Sequence, residues 1–385
     1  MKKYNLLNAL IAVCLMFTSC QELTEPTGTE LPVIRTGDAI VHSSRSVKLE
    51  GRKVENGTIS RTGTIHFRVS LTETFEDYRE YSTNKHLHEN TYIEIEGLEP
   101  NTTYYYYAFD TDGISEIRGE TKSFKTLNLL KLSKVTLRDW DGTEVPFDYE
   151  KPMGVSLFGS TSYYNLETNY NNGSWTFPKE INAGVISNLV AYWPYGYYEM
   201  SEYNIYGIQT YKYDGTYLLY SDYTSTNEDK SSASLVMNHA MARVIFHFSI
   251  AEDNLTDVEE VRFLDISNGE NILPTEAIFN LETGQFYEHM YRYSLQYDYE
   301  FSIKKGQNTN IPIYSIPTNG GGYVTLTLNM ANGNQVQANL PVEWEQGRSY
   351  EYDITYKKGM LTIGDVRIEN WDNNDGGDIP IYDKN

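Results

Sequence analysis

Cysteine is nearly absent from this chain of 385 residues, which contains only Cys14 and Cys20. Cys14 falls in an apolar N-terminal segment that we predict is removed, so the mature protein would keep Cys20 alone. A single thiol cannot form a disulfide within one chain, and it excludes a zinc site built from several cysteines. The fold must therefore be held by burial of apolar side chains, which a chain of this length can achieve.

Basic residues are also scarce. Lys and Arg number 31 against 53 Asp and Glu, which gives a formal charge of −22. Nucleic acids and anionic membrane surfaces are bound through basic patches. The composition therefore predicts no nucleic-acid partner, and it is typical of a surface exposed to the external medium.

Helical periodicity and catalytic motifs are missing as well. No apolar pattern of helical spacing exceeds about two turns. The chain has no Gly-x-Ser-x-Gly and no P-loop, so we predict no enzyme activity, no catalytic residues and no cofactor. His86 and His88 have no third ligand nearby, and residues 372–378 lack the residue register of a calcium loop. We predict no metal site.

Residues 1–19 are predicted to be a lipoprotein signal peptide. Lys2 and Lys3 precede an apolar run over residues 6–17, which is too short to span a bilayer. The run ends in Phe-Thr-Ser-Cys, which resembles a lipobox whose cleavage leaves Cys20 as an acylated N-terminus. More than one acyl chain at that position anchors a protein stably in a membrane. The alternative is ordinary secretion with an unmodified Cys20.

A tether at residues 20–37 is followed by a first predicted domain, residues 38–127. Leu98-x-Pro-x-Thr-x-Tyr104 resembles the tyrosine corner of fibronectin type III sandwiches, in which the tyrosine hydroxyl returns to the backbone of the preceding turn. Tyr106 would share the inward phase of Tyr104, and Tyr105 and Tyr107 would face outward. We therefore predict a fibronectin type III-like sandwich here. Its candidate strands lie at residues 61–71, 91–95, 104–109 and 119–126.

Residues 235–250 contain the clearest strand pattern in the chain. From Ala242 to Ile250 every second residue is apolar, and β-branched and aromatic residues are frequent, which indicates a half-buried strand. Before this point the apolar residues occupy the odd positions. The change of phase near Ala240 predicts a bulge or a break between two strands.

Short strand patterns at intervals of about 8–12 residues fill the region from residue 128 onward, which favours β-sandwiches. Asp141-Gly142 and Asn332-Gly333 predict tight hairpin turns. The further candidate strands are 130–137, 155–158, 174–177, 188–192, 216–220, 258–266, 278–286, 297–303, 311–316, 323–330, 335–342 and 350–356.

Three segments in order carry a resemblance to a known family. Residues 189–195 read Leu-Val-Ala-Tyr-Trp-Pro-Tyr, residues 238–248 read Asn-His-Ala-Met-Ala-Arg-Val-Ile-Phe-His-Phe, and Tyr350–Ile354 is followed by a segment that ends at Trp371. Together they resemble the fimbrillin-like proteins of Bacteroidota, the subunits of type V pili. The resemblance covers about residues 128–375 and not the preceding domain.

The family resemblance implies two transthyretin-like sandwiches, which would follow the fibronectin type III-like sandwich predicted above in an all-β chain. These two would occupy residues 128–232 and 233–385. It also implies a surface-exposed lipoprotein of the cell outer membrane or fimbrium, held by its lipid anchor. The protein would be a fimbrial subunit or a pilus-associated adhesin that mediates cell adhesion through an unidentified host or bacterial surface ligand.

The resemblance further implies that subunits join by strand exchange, in which an extended segment of one subunit pairs with an open edge of the next. Candidate donor segments are residues 361–368 and 379–382. In the family a trypsin-like protease removes an N-terminal strand to open the acceptor. The basic residues near the matching boundary are Arg118, Lys122, Lys125 and Lys131.

A second hypothesis is a surface glycan-binding lipoprotein that supports polysaccharide uptake. It would use exposed aromatic rings as a stacking surface, whereas core packing is the alternative role for each ring. The candidate rings are Trp140, Trp175, Trp193, Trp344 and Trp371.

Overall fold

The computed structural model describes residues 33–54, 64–83, 91–147, 149–210, 217–267, 272–298 and 300–369. The chain divides into two compact units, residues 1–127 and 128–385. The described residues form 30 strands and one 3₁₀ turn, Ala183–Val185, so the predicted all-β class is confirmed. Within the same ranges, no helix has the length and apolar content needed to cross a bilayer.

The first unit is a sandwich of two sheets. Its strands are β1 Val33–Val41, β2 Val47–Val54, β3 His66–Ser70, β4 Tyr78–Ser82, β5 Thr91–Ile95, β6 Thr103–Thr111, β7 Glu116–Arg118 and β8 Lys122–Lys125. One sheet has the order β1-β2-β5, and the other has the order β4-β3-β6-β7 with β8 also paired to β6. Leu49 and Ile95 from the first sheet and Phe67 and Tyr106 from the second meet in the buried core.

The tyrosine-corner geometry predicted at Tyr104 is present. Its hydroxyl accepts a hydrogen bond of 2.9 Å from the backbone N–H of Glu99. Tyr106 points into the core, where its hydroxyl donates to the carbonyl of Gly37 at 2.8 Å. Tyr107 lies on the other face, as predicted, but it is buried, because Phe75 covers its ring and Arg68 donates to its hydroxyl.

The first part of the second unit is built from eleven strands. They are β9 Lys131–Arg138, β10 Glu144–Pro146, β11 Met153–Gly159, β12 Tyr163–Asn171, β13 Ser174–Thr176, β14 Ile186–Trp193, β15 Glu199–Ser201, β16 Asn204–Gln209, β17 Leu219–Ser221, β18 Thr224–Ser225 and β19 Ser232–His239. Nine of them form one sheet, β10-β9-β19-β17-β14-β11-β12-β13 with β18 on β14. The Asp-Gly turn joins β9 to β10 as predicted, with Gly142 at φ 85°.

The second part contributes β20 Ala242–Ile250, β21 Val258–Ser267, β22 Glu276–Asn280, β23 Gln285–Met290, β24 Ser294–Tyr297, β25 Phe301–Lys304, β26 Thr309–Ser315, β27 Gly322–Met330, β28 Gln335–Val342, β29 Ser349–Lys357 and β30 Met360–Glu369. One sheet has the order β26-β20-β29-β30, and the facing sheet has the order β24-β21-β27-β28 with β25 on β21. Both cover a core that includes Phe246, Leu326 and Tyr352.

The central stretch behaves as its sequence predicts. β19 ends at His239 and β20 begins at Ala242, so the phase change at Ala240 is a break between two strands that enter different sheets. The Asn332-Gly333 hairpin is also confirmed, since β27 pairs with β28 across it and Gly333 has φ 85°.

One predicted strand is wrong because it contains a turn. Residues 278–286 form β22 and β23, which are separated by a turn in which Gly284 has φ 66°. Residues 297–303 are divided between the end of β24 and the start of β25, which both pair with β21. Glycine relieves the steric penalty of a positive φ, but a period-two pattern can continue across a tight turn and so conceal it.

Residues 276–290 do not join the sheets that precede and follow them in the chain. β22 pairs with β16, so a separate sheet has the order β15-β16-β22-β23. Ala277, Phe279 and Leu281 are consequently part of the core formed by the first part of the unit. This core therefore receives side chains from both sides of residue 233.

Candidate functional site

β30 is an edge strand whose inner face becomes exposed along its length. It pairs antiparallel with β29, and no second neighbour is present among the described residues. Leu361 at its start is 9% exposed, whereas Ile368 near its end is 48% exposed. The unpaired backbone groups of such an edge can pair with another chain.

A groove of about 690 Å³ lies beside the exposed end of β30. It opens between β28 and β30, the edge strands of the two facing sheets of the second core. Its lining residues are Gly321, Gly322, Tyr323, Pro341, Val342, Glu343, Glu345, Arg348, Tyr350, Tyr352, Val366 and Ile368. Tyr350 and Tyr352 in this lining are buried, whereas Ile368 is half-exposed, so the groove runs along the edge of the core.

Hydrogen bonds fix the tyrosines that form the floor of the groove. Trp344 Nε1 donates to the Tyr352 hydroxyl at 2.8 Å, and that hydroxyl donates to the carbonyl of Pro341 at 2.8 Å. The Tyr350 hydroxyl accepts from the N–H of Glu345 at 2.9 Å. Burial raises the pKa of Tyr352 to about 12, so its hydroxyl stays protonated and keeps both contacts at neutral pH.

The rim of the groove is charged. Arg348 forms an ion pair with Glu345, and Glu343 lies beside Gly321, where an added Cβ would come within 3.2 Å of a carboxylate oxygen. Tyr323 on the rim is largely exposed. An apolar floor beneath a polar rim suits an extended peptide, because alternate side chains can enter the floor while the backbone pairs with an edge strand.

Three of the four candidate processing residues lie in the first unit. Arg118 is in β7, and Lys122 and Lys125 are in β8, so all three belong to strands that pair with β6. Lys122 also forms a 2.8 Å ion pair with Asp38. Lys131 is the first residue of β9 in the second unit. At all four positions the backbone is paired, which limits access to a protease until the strand opens.

The four tryptophans within the described ranges do not form the exposed surface that the glycan hypothesis requires. Trp140, Trp175 and Trp344 are buried and Trp193 is half-buried. Trp175 stacks on Phe147 with centroids 5.5 Å apart. These rings pack the cores, which corrects their proposed role as stacking candidates.

Several candidate residues lie outside the described ranges: Cys20, His86, His88, Trp371, residues 372–378 and residues 379–382. His239 is buried in β19, and His247 in β20 contacts Asn310 at 2.7 Å. Where the structure describes the chain, no cluster of His, Cys, Asp or Glu is arranged to hold a metal ion.

The sequence does not predict the groove, although it identifies residues 361–368 as a candidate donor segment. Their alternation of Leu, Ile, Val and Ile predicts a strand, but a strand pattern alone does not distinguish a donor segment from an acceptor edge. Only the position of β30 near β28 shows that a groove lies there.

Comparison with known proteins gives a family match over residues 149–371, to a model described as fimbrillin-like. A candidate cell adhesion protein from Bacteroides ovatus is similar in structure, with a TM-score of 0.49, 17% identity, and coverage of 64% of this chain and 98% of that one. A fimbrial protein from Bacteroides vulgatus has a TM-score of 0.44 and 12% identity, covering 63% of this chain and 99% of that one. No curated protein matches the sequence.

Proposed function

The chain belongs to the fimbrillin-like family, and from this premise we propose that it is a surface-anchored fimbrial subunit or pilus-associated adhesin. The family is structural and adhesive and not enzymatic. In this proposal the mature protein is held at the outer membrane by acylated Cys20, associates with other pilus subunits, and mediates adhesion. The first unit, with its fibronectin type III-like tyrosine corner, would space the transthyretin-like part from the membrane.

The groove between β28 and β30 is the observation that supports assembly by strand addition. It offers an apolar floor next to an edge strand with unpaired backbone groups, and both are requirements for binding an extended segment. Of the two candidate donors, residues 361–368 are already paired to β29 and help to cover Tyr350 and Tyr352. We therefore assign β30 to the acceptor side, and residues 379–382 to the donor side.

Processing near the boundary of the two units would release the first unit with its anchor. Cleavage after Arg118, Lys122, Lys125 or Lys131 would leave most of the fimbrillin-like part intact, since β9 starts at Lys131. An uncut chain would remain attached through Cys20 and would act as an anchor, a tip or a stand-alone adhesin.

Incorporation of groove variants into surface polymers tests strand addition. We expect Ile368→Asp to lower incorporation at least about tenfold, because it places a charge on the apolar wall of the groove. Ile368 is half-exposed, so the variant should fold normally. The readout is the amount of SDS-resistant polymer sheared from cells that lack the chromosomal copy.

Leu255→Asp is the matched control. Leu255 is almost fully exposed and does not line the groove. This control variant should polymerise like the parent chain. Equal incorporation of the Ile368→Asp variant and the control would show that the groove does not take part in assembly.

A further inference from the structure

A cluster of aromatic rings in the first part of the second unit lies away from the groove. Phe158 in β11 lies beside Tyr164, Tyr203 and Tyr223. The Phe158 ring is 4.6 Å from that of Tyr203 with an interplanar angle of 18°, and 5.8 Å from that of Tyr223 with an angle of 11°. Tyr164 meets Phe158 edge-on at 5.7 Å. We call these four residues the tyrosine patch.

The patch is only partly covered. Phe158 is buried, whereas Tyr164 is 50% exposed and Tyr223 is 38% exposed. Rings that served core packing alone would be covered like Trp175 and Trp344. Keeping two large rings in water costs burial free energy, which is why exposed aromatic clusters commonly mark binding surfaces.

Hydrogen-bonding groups surround these rings. Asn188 is the cross-strand partner of Phe158, and Ser225 is the cross-strand partner of Asn188, so all three side chains lie on one face of the sheet. The Ser225 and Asn188 side-chain oxygens are 3.2 Å apart. The hydroxyls of Tyr203 and Tyr223 interact with each other.

Acidic character at the patch disfavours an anionic ligand. Burial, the Tyr203 hydroxyl and then the Glu282 carboxylate all raise the pKa of Tyr223, so its hydroxyl stays neutral and available as a donor or acceptor. The chain as a whole carries a charge of −22. A ligand with acidic groups would be repelled by both the nearby carboxylate and the overall charge.

We propose that the tyrosine patch binds neutral saccharides. The C–H face of a pyranose ring would stack on the exposed part of Tyr223, and Tyr164, whose ring is steeply inclined to that of Tyr223, would contact the sugar from the side. The sugar hydroxyls would bond to Asn188, Ser225 and the tyrosine hydroxyls. The site differs from the tryptophan surface considered above, because it uses tyrosines that the structure leaves exposed. For its biological role this inference rests on the proposed adhesive function, but the binding itself does not depend on it.

Retention of the purified mature chain on immobilised glycans tests the site. The probes are yeast mannan, laminarin, desialylated mucin glycans and the same mucin glycans with sialic acid retained. We expect binding to at least one neutral probe, weakened about tenfold or more by Tyr164→Ala and by Tyr223→Ala. Tyr293→Ala is the control, since Tyr293 is largely exposed and outside the patch.

Each alternative result is decisive. Binding to no neutral probe, binding only to the sialylated probe, or equal binding by the alanine variants and the parent chain would overturn the proposal. Tyr164→Phe, which keeps the ring, should retain most of the affinity and guards against a folding defect in the alanine variants. Ile368→Asp should bind glycans normally, so failure of this site and failure of strand addition are distinguishable.

Discussion

At the residue scale, two tyrosine hydroxyls stabilise equivalent turns in different parts of the chain. Tyr104 accepts from the N–H of Glu99, and Tyr350 accepts from the N–H of Glu345, with the same spacing of five residues. In each case the hydroxyl satisfies a backbone donor just before the strand that carries the tyrosine. The motif Leu-x-Pro-x-Thr-x-Tyr made only the first of these predictable.

Replacing either tyrosine by phenylalanine should destabilise the chain by about 1 kcal/mol, because a backbone N–H loses its partner. Urea unfolding of the mature chain, followed separately for Tyr104→Phe and Tyr350→Phe, measures this loss. Tyr323→Phe is the control, since Tyr323 is largely exposed. If Tyr104→Phe lowers the free energy of unfolding no more than Tyr323→Phe does, the Tyr104 hydroxyl does not stabilise the turn.

His239 makes the stability of the second unit depend on pH. The ring stacks on Trp140 at 3.6 Å, is buried, and neither nitrogen has a hydrogen-bond partner within the described structure. Burial and then the charge of Arg243 hold the pKa of His239 well below its usual value. The histidine is therefore neutral when folded and takes up a proton more readily when unfolded.

The sign of this effect follows from proton linkage. The contribution of neutral His239 to the free energy of unfolding is fully present above about pH 6.5, the pKa of an unfolded histidine. It declines as the pH falls below that value, by up to about 1.4 kcal/mol per pH unit. Urea unfolding at pH 7.5 and 5.5 should show the loss in the parent chain and a smaller loss in His239→Phe, which keeps a ring against Trp140. Identical losses in both proteins would contradict the assignment.

At the element scale, β30 shows that a sequence pattern can predict a strand without determining its role in assembly. Its apolar residues alternate on either side of Gly364 and Asp365, where the pairing register with β29 shifts. The sequence of β30 is equally consistent with a donor segment and with a strand of its own sandwich. Its pairing with β29, and the burial of its own Leu361, make it a part of its own sandwich.

Two nested truncations separate these roles. Removing residues 361–385 should cost at least about 2 kcal/mol more than removing residues 370–385, because only the longer deletion takes Leu361, Ile363 and Val366 from the core. Chemical unfolding of both variants measures the difference. Equal stability would mean that β30 is dispensable to its own fold and free to act as a donor.

Hairpins are the elements that could be predicted most fully. Asp141-Gly142 and Asn332-Gly333 require positive φ values that glycine adopts at little cost, so the local sequence selects the turn. The turn within residues 278–286 lacked such a dipeptide, since Gly284 follows Thr283. The sequence pattern therefore predicts a single strand where the structure has β22 and β23.

At the scale of the whole molecule, the proposed anchor at Cys20 and the proposed processing near residues 118–131 would determine which form of the protein reaches the cell surface. The mass and the N-terminus of the protein isolated from the outer membrane of its host measure this directly. An acylated Cys20 on an uncut chain is expected for a permanently anchored adhesin. A shorter, lipid-free chain that starts just after Arg118, Lys122, Lys125 or Lys131 is expected for a pilin incorporated into a fibre.

An unmodified Cys20 at the N-terminus would contradict the lipid anchor and favour ordinary secretion. A cleaved chain whose N-terminus lies far from residues 118–131 would exclude all four candidate processing residues. Mass spectrometry of the intact protein and of its N-terminal peptide distinguishes these outcomes in one preparation.

Period-two alternation, Asp-Gly and Asn-Gly turns and the break at Ala240 determined the all-β class and many of the strands, because these signals act between residues close in the chain. Only the tertiary structure decided which strands are neighbours. It placed β22 beside β16, left the groove open between β28 and β30, and buried three tryptophans while exposing Tyr164 and Tyr223. Those outcomes depend on contacts between segments distant in the chain, and local periodicity carries no information about them.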